Sequence, residues 1–463
     1  MNTILAIDIG STKICAIIAE IKDDNIHVMG TGIAKSQGLK KGVVTNIEQS
    51  SRAIKTAITD AKRVAGANFS KSIVSISGAY TKSINSNGII NLPQNEIGLN
   101  EINRVMQTAI YNANIPLSEY TILHALPYKF KVDDQDFIED PLGMNGSRLE
   151  VSTHIVTTQK SSLNNLKKAI KSAGVDVDNI VLNGYASSIS VLNQDEKELG
   201  VIMIDIGGAT CNLAIHYGNS IIYNDFLGVG SGHITSDLSM ALHTPLHVAE
   251  SIKIEYGSLI GDKDGLIELP ITGDENATHE VSLEVVHNVI YARVEETLMI
   301  LSKTVEKSNF KDMIGGGVVL CGGMTKLEGI RELASAVFGN LPVRIAKPKE
   351  LDGLFDNLKD PSSATAIGLL LYGAGYFTNY EIDSNGKLRY KGEKPQQTIS
   401  NIDMKDTTRQ NQQIQTPAQS FDTGVNSINL SINKELQKET KIDGKSQKPS
   451  LFTKFWQWVT QLF

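Results

Sequence analysis

Two carboxylates stand at the ends of matching apolar runs. In Ile4-Leu5-Ala6-Ile7-Asp8-Ile9-Gly10-Ser11-Thr12-Lys13 the apolar stretch ends at Asp8, a short polar turn follows, and apolar residues resume through Ile18. This spacing predicts two strands joined by a tight turn. Gly10 lets the backbone approach a ligand closely, and Ser11 and Thr12 bring hydroxyls and amide donors suited to a phosphate. One copy alone reads equally well as a buried hairpin. A second copy occurs at Val201-Ile202-Met203-Ile204-Asp205-Ile206-Gly207-Gly208-Ala209-Thr210, with apolar residues resuming through Ile215. Two such hairpins on separate domains, facing each other over a cleft, would grip phosphates with their amides. Asp8 and Asp205 would hold a hydrated Mg2+ between them.

The elements around these hairpins are those of an α/β protein. Asn25–Ala34 reads as a third strand of an opening meander. A helix should begin at Thr45-Asn46-Ile47-Glu48, carry an apolar face of Ile47, Ala53, Ile54, Ala57, Ile58, Ala61 and Val64, and stop at Gly66. Lys71–Gly78 alternates as a strand. From about Ile84 to Thr158 strands and one helix suggest a small α+β insert, and its acidic run Asp133-Asp134-Gln135-Asp136 reads as a solvated turn. A helix over Ser162–Ala173 with Gly174 as its stop returns to the first domain. Val201 opens the second domain, a mostly helical insert spans about Ile234–Ser302, and an alanine-rich helix, Ala364–Tyr372, closes it. Strands feeding helices and returning to strands place the whole in the α/β class.

Composition narrows the functions. The 463 residues suffice for two or more domains with their own cores, and 41% hydrophobic with 21% charged residues is ordinary for a globular protein. A net charge of −7 gives no reason to expect nucleic acid as a partner. Cys15, Cys211 and Cys321 lie in apolar strand contexts and read as small buried hydrophobes in a reducing compartment. The first residues enter a strand without the basic and apolar regions of a signal peptide, so a cytoplasmic protein is expected. Gly228-Val229-Gly230-Ser231-Gly232 is not a full dinucleotide fingerprint, and no P-loop motif occurs.

After about Tyr380 the chain turns Gln-, Asn-, Lys- and Ser-rich, which predicts a disordered linker over 380–449. It leads to residues 450–463, an amphipathic helix when plotted at 100° per residue. Leu451, Phe452, Phe455, Trp456, Val459, Leu462 and Phe463 form its apolar face; Lys454 lies opposite, and Trp458 extends one edge. Such a helix is too short to span a bilayer but suits the interface of a membrane carrying anionic lipid. Docking onto the protein's own core is the competing reading.

The paired Asp-x-Gly hairpins resemble those of the actin–hexokinase–Hsp70 superfamily of ATP-binding proteins. The likeness extends to Val318-Val319-Leu320-Cys321-Gly322-Gly323-Met324 after Gly315-Gly316-Gly317, which resembles the superfamily's adenosine motif. It includes Ala249-Glu250-Ser251-Ile252-Lys253, where the chaperone-like branch places a Glu and a Lys on adenosine. Within the superfamily, Gly232-His233-Ile234-Thr235-Ser236-Asp237, Pro361-Ser362-Ser363-Ala364-Thr365-Ala366-Ile367-Gly368-Leu369-Leu370 and the basic aromatic C-terminus resemble the FtsA family of bacterial cell-division proteins. The resemblance covers nearly the whole chain up to residue 380.

What that resemblance implies is specific. The fold would be an actin-like ATPase fold of two lobes, each with a ribonuclease-H-like sheet core. Subdomain 1A would comprise 1–83 and 162–200, the inserted subdomain 1C 84–161, subdomain 2A 201–232 and 303–379, and the insert 2B 233–302. ATP and Mg2+ would be held by Asp8, Gly10, Ser11, Thr12 and Lys13 and by Asp205, Gly207, Gly208, Ala209 and Thr210. Gly230, Glu250, Lys253, Gly322, Gly323 and Met324 would complete the site. The protein would polymerise, recruit other division proteins, and sit peripherally on the cytoplasmic face of the cell membrane at the division site. In Ile290-Tyr291-Ala292-Arg293-Val294-Glu295-Glu296, Arg293 with Glu296 would meet the C-terminal peptide of the tubulin-like FtsZ. Two departures bear on catalysis. Asn212 stands where an acidic residue is common, and Leu182-Asn183-Gly184-Tyr185-Ala186-Ser187-Ser188 lacks the Glu that orients water in hydrolysing relatives. ATP binding with slow or absent hydrolysis is therefore expected. A small-molecule, sugar-type kinase on the same fold is the alternative, though no carboxylate base beside an acceptor site is visible.

Overall fold

The first hairpin forms as its apolar runs dictate: β1 (Asn2–Ile9) and β2 (Lys13–Lys22) pair antiparallel with Asp8 opposite Cys15, and β3 (Asn25–Lys35) completes the meander. The computed structural model describes residues 2–392 apart from 23, 24, 80, 219, 262 and 263. A two-rung ribbon, β4 (Leu39–Lys40) with β5 (Val43–Val44), leads to α1 (Ile47–Ala65). The Asn46 side chain caps this helix by accepting from the Gln49 N–H, and Gly66 ends it at φ 61°. Of the expected apolar face, Ala53, Ile54, Ala57, Ile58 and Ala61 are buried and Ile47 partly so, whereas Val64 in the last turn is exposed. Next come β6 (Lys71–Ile76) and the insert, formed by β7 (Thr81–Asn91), α2 (Leu99–Asn112), β8 (Tyr120–Val132), β9 (Gln135–Ile138) and β10 (Arg148–Gln159). Then follow α3 (Lys160–Ser172), β11 (Asn179–Leu182), α4 (Asn183–Val191) and the short α5 (Gln194–Leu199).

The second half repeats the first. It opens with the meander β12 (Val201–Ile206), β13 (Cys211–Tyr217) and β14 (Ser220–Leu227). Its own insert holds α6 (Ser231–Ala241), α7 (Leu246–Tyr256), the ribbon β15 (Leu266–Ile271) with β16 (Asp274–Ser282), and α8 (Leu283–Lys307). The half closes with β17 (Val318–Cys321), α9 (Ile330–Val337), β18 (Val343–Ile345) and α10 (Ala364–Gly373). The two large sheets have orders β11-β6-β1-β2-β3 and β18-β17-β12-β13-β14, an antiparallel meander continued by two parallel strands in each. Asp205 faces Asn212 across β12 and β13, the register at which Asp8 faces Cys15. Both central strands are buried along nearly their whole length, which is why they read as unbroken apolar runs. This is the actin-like α/β architecture.

The helices are traded between the halves. The expectation that Ala364–Tyr372 finishes the second domain follows chain order, but α10 packs on β1 and β6 of the first sheet. Meanwhile α4 packs on β12 and β13 of the second sheet, and the two helices lie against each other. At their crossing a Cβ on Gly368 would stand 1.8 Å from the Ala186 carbonyl oxygen, so only glycine permits this approach.

The insert forms its own four-stranded sheet, β7-β10-β8-β9, under α2, around Ile102, Val105, Met106 and Ala109. A second correction concerns the start of the linker. Residues 380–391 are not loose: Tyr380 and Ile382 are buried in the insert's core, and Ile382 exchanges both backbone hydrogen bonds with Ala125 of β8. The few apolar residues of this polar stretch fill a cleft between insert and first lobe, a tertiary opportunity that composition does not reveal. Residues 393–463, including the predicted linker from 393 onward and the amphipathic helix, lie outside the described residues.

Beside Ile382, the fully buried Glu381 accepts from the Tyr185 hydroxyl of α4 (2.7 Å) and the Tyr372 hydroxyl of α10 (2.5 Å). Burial pushes its carboxyl up to about 7, against the pull of Arg389 and the two tyrosines. The folded chain thus holds this proton to a higher pH than the unfolded chain, whose value is near 4.5. Stability from this group is complete below about pH 4.5 and lost as the pH rises through about 7, roughly 3 kcal/mol in all. Glu381→Gln should therefore lose less stability than the wild type between about pH 5 and about pH 8 in urea denaturation. Identical pH profiles would contradict the assignment.

Candidate functional site

Each hairpin turn closes in the same way. The Gly10 N–H donates to the Lys13 carbonyl at 3.1 Å, and the Gly207 N–H to the Thr210 carbonyl at 2.8 Å. The turns abut: a Cβ built on Gly208 would lie 1.8 Å from Thr12 Oγ1. Behind them lies a cavity of about 490 Å³ lined by Asp8, Gly10, Ser11, Thr12 and Lys13 from one side and Asp205, Gly207, Gly208 and Thr210 from the other. Glu250, Lys253, Gly322, Gly323 and Met324 line it as well. Most of the residues singled out in the sequence thus converge on one cavity. Ala209 and Gly230 do not line it.

The two carboxylates are almost fully buried, each 7% exposed. Asp8 Oδ1 accepts from Ser75 Oγ at 3.0 Å, and the same Ser75 oxygen accepts the Ile9 N–H at 2.8 Å. Asp205 Oδ2 accepts from Ser187 of α4 (3.0 Å) and Thr365 of α10 (3.2 Å), so the helix pair between the sheets also positions the second carboxylate. Burial, then the charge of Asp205, pushes Asp8 up to about 6 against Ser75 and Lys13; burial likewise raises Asp205 against its two hydroxyl donors. Two buried carboxylates at one cavity favour a cation. Among the described residues no group of three or more His, Cys, Asp or Glu would cage a metal directly. The donor set fits a hydrated divalent ion held through its waters, which Asp8 and Asp205 would accept.

The remaining walls supply charge and apolar surface. Lys13 Nζ donates to Ser362 Oγ at 2.9 Å across the cavity floor. On the far side Lys253 Nζ meets Glu250 at 2.6 Å and Thr235 Oγ1 at 2.9 Å. Partial burial alone would raise Glu250, but Lys253 and Thr235 bring it below the ordinary carboxylate range. Ile234, Ile254, Met324 and Leu327 give this end an apolar lining suited to a flat ring. Gly322 sits at φ 92° with its Cα so near β12 that a Cβ would meet Asp205 Oδ1 and Ile206 O at 2.5 Å. Gly230 acts from behind, capping α6 and packing on the second turn; Ser231 and Gly232 donate to the Gly207 and Gly208 carbonyls.

Sequence reasoning missed Asn183, Ser231, Ile234, Ile254, Gly257, Lys326, Leu327, Ser362 and Thr365 as lining residues, and Ser75 and Ser187 as supports. A lone Ser or Thr carries no periodic signal, and Ser75 reaches Asp8 only through the parallel pairing of β6 with β1. Arg293 has partners within the chain. It is not a free cation: its guanidinium holds Asp237 of α6 through two nitrogens (2.5 and 3.1 Å) and also pairs with Glu296. The residues proposed to touch a peptide thus tie α8 to α6.

A family profile described as "Cell division protein FtsA" matches residues 202–368, and one described as "SHS2 domain inserted in FTSA" matches 78–157, the region of the insert. The chain is 43% identical over 420 residues to the "Cell division protein FtsA" of Helicobacter pylori strain J99, covering 84% of this chain and 85% of that one. It is 37% identical over 374 residues to that of Pseudomonas aeruginosa, covering 80% and 89%. Among solved structures, the "PilM-PilN type IV pilus biogenesis complex" has a chain that superposes with a TM-score of 0.57 at 16% identity, over 80% of this chain and 98% of that one.

The geometry makes one testable demand on the turn support. A Cβ on Gly230 would meet backbone atoms of Gly207, Gly208 and Ala209 at 2.5–2.7 Å. Gly230→Ala should destabilise the protein by about 1–3 kcal/mol, read as a lower urea midpoint, because backbone must move to admit the methyl. An unchanged midpoint would contradict it.

Proposed function

The chain belongs to the FtsA family of cell-division proteins, and on that premise we propose that it is an ATP-loaded, actin-like subunit that polymerises and tethers FtsZ to the cytoplasmic face of the cell membrane. The observation that carries this reading is the pair of buried carboxylates at one cavity between two equivalent sheets. A nucleotide with Mg2+ would satisfy both charges at once and join the two lobes. The hairpin amides and Lys13 would take the phosphates, Glu250 and Lys253 the ribose, and the apolar end the adenine. Bound Mg2+ supplies charge neutralisation of the phosphates. Hydrolysis should be slow or absent, because Asn212 and the hydroxyls of Ser187 and Thr365 surround Asp205 where a base for water would be needed.

Among the described residues no helix is long and apolar enough to cross a membrane. The membrane contact in this proposal is the segment 450–463, through its aromatic face and lysine, and many such segments on one filament would bind by avidity. The FtsZ peptide would dock on the insert that includes α6 and α8, where Arg293 with Glu296 would meet it. Later division proteins would be recruited to the assembled filament.

Electron microscopy of the full chain on monolayers containing anionic lipid tests the proposal: filaments should form with ATP and Mg2+ and be lost without nucleotide. The two tryptophans of the chain, Trp456 and Trp458, add a direct readout. Their emission should shift blue on anionic vesicles, in part reversibly with salt. An emission already blue without lipid and unchanged by it would contradict membrane insertion.

A further inference from the structure

Helix α4 stands between the cavity and the segment 380–391. Tyr185 and Ser187 lie two residues apart on it, about 200° around the helix, so they face opposite sides. Ser187 Oγ donates to Asp205 Oδ2 at 3.0 Å, and the Tyr185 hydroxyl donates to Glu381 at 2.7 Å. Helix α10 repeats the arrangement: Thr365 donates to Asp205 from the first turn, and Tyr372, about two turns on, donates to Glu381. Between these contacts Ala186 and Gly368 lock the helices together, since a Cβ on Gly368 would have no room. The pair therefore moves as one body. Beyond Glu381, Ile382 exchanges backbone hydrogen bonds with Ala125 at 2.9 and 3.0 Å, and its side chain is buried in the core of the first insert. Arg389 closes the segment: its carbonyl accepts from the Tyr380 N–H and its own N–H donates to the Glu381 carbonyl, at 2.8 and 2.9 Å. Its guanidinium lies over the Tyr372 and Phe377 rings, 4.3 and 3.9 Å from their centres.

We propose that residues 380–391 are a strap that couples the cavity to the seating of the first insert. A ligand that engages Asp205 tightens the strap, and a seated strap tightens the ligand. The coupling rests on the reading of the cavity as the site of a nucleotide with a hydrated divalent cation. That ligand fixes Asp205, and Asp205 fixes the Ser187 and Thr365 hydroxyls. The locked helix pair carries this placement to the Tyr185 and Tyr372 hydroxyls on its other side. Glu381 accepts from both helices at once, so it fits one placement of the pair. A buried carboxyl that loses such donors is left unsatisfied, which makes the strap either seated or released. The insert has a sheet and a core of its own, so its placement on the body depends on contacts at its border, of which Ile382 with Ala125 is one. The surface that the insert offers to other molecules is then held in one orientation when the cavity is filled. Linkage makes the effect reciprocal.

Hydrogen exchange of the full chain tests the strap at the amides of Tyr380, Ile382 and Arg389, each hydrogen-bonded while it is seated. Saturating ATP with Mg2+ should slow their exchange about fivefold or more in the wild type. The same saturation of Ser187→Ala with Thr365→Val should give no such slowing, because those substitutions cut the helix pair from Asp205. The reciprocal arm is Ile382→Asn, which unseats the strap at the insert and changes no residue lining the cavity. In calorimetry this variant should bind ATP with Mg2+ about fivefold or more weakly, at a temperature where circular dichroism shows it folded. Heat of ATP binding with unchanged exchange at the three amides overturns the strap and leaves the nucleotide reading standing. Slowing that persists in Ser187→Ala with Thr365→Val, or wild-type affinity in Ile382→Asn, overturns it as well. Absence of any binding heat in the wild type defeats the nucleotide reading and the coupling with it. The wild-type exchange measurement needs no variant, so it decides the matter even where Ile382→Asn fails to fold.

Discussion

Two carboxylates held out of water beside one another are a cost that the fold does not cancel internally. Ser75, Ser187 and Thr365 each donate one hydrogen bond, and Lys13 is the cation that lowers Asp8, yet both acids stay above their ordinary range. A buried like-charge pair is tolerated where a ligand completes it. Much of the architecture serves to hold that pair. The repeated sheets present the acids at matching register, α4 and α10 thread between the sheets to support Asp205, and glycines at 230 and 322 let the backbone close around the second turn.

The asymmetric parts are added to this repeated frame. One half carries the small α+β insert, the other a helical insert tied by Arg293 to Asp237. The segment 380–391 fastens the first insert to the body, with Glu381 linking both inter-sheet helices. The chain's last described residues thus touch the two helices that position Asp205, giving the body one connected path from the site to the start of the C-terminal stretch.

How much of this was legible follows from the kind of signal each part leaves. Strands β1 and β12 are buried on both faces, so unbroken apolar runs marked them, and the polar turns between them and β2 and β13 marked the site. Helix α1 advertised itself by a stripe, a cap and a glycine stop. The packing of α10 on the first sheet was hidden because periodicity tells which face is buried but not against what. Residues 380–391 looked like linker because only Tyr380, Ile382, Leu388 and Tyr390 among them are large and apolar, and their burial depends on a cleft built by distant residues. The pairing of Arg293 with Asp237 was equally invisible, since Asp237 lies on another helix 56 residues away.

The central claim is that Asp8 and Asp205 act as a pair that needs a hydrated divalent cation together with the nucleotide. Calorimetric titration of ATP into the full chain, with Mg2+ and with chelator, tests it most directly, in the wild type and in Asp205→Asn. The account predicts ATP binding at least about tenfold tighter with Mg2+ in the wild type, and loss of that difference in the variant. Equal affinity with and without Mg2+ in the wild type, or a difference that survives Asp205→Asn, would contradict it.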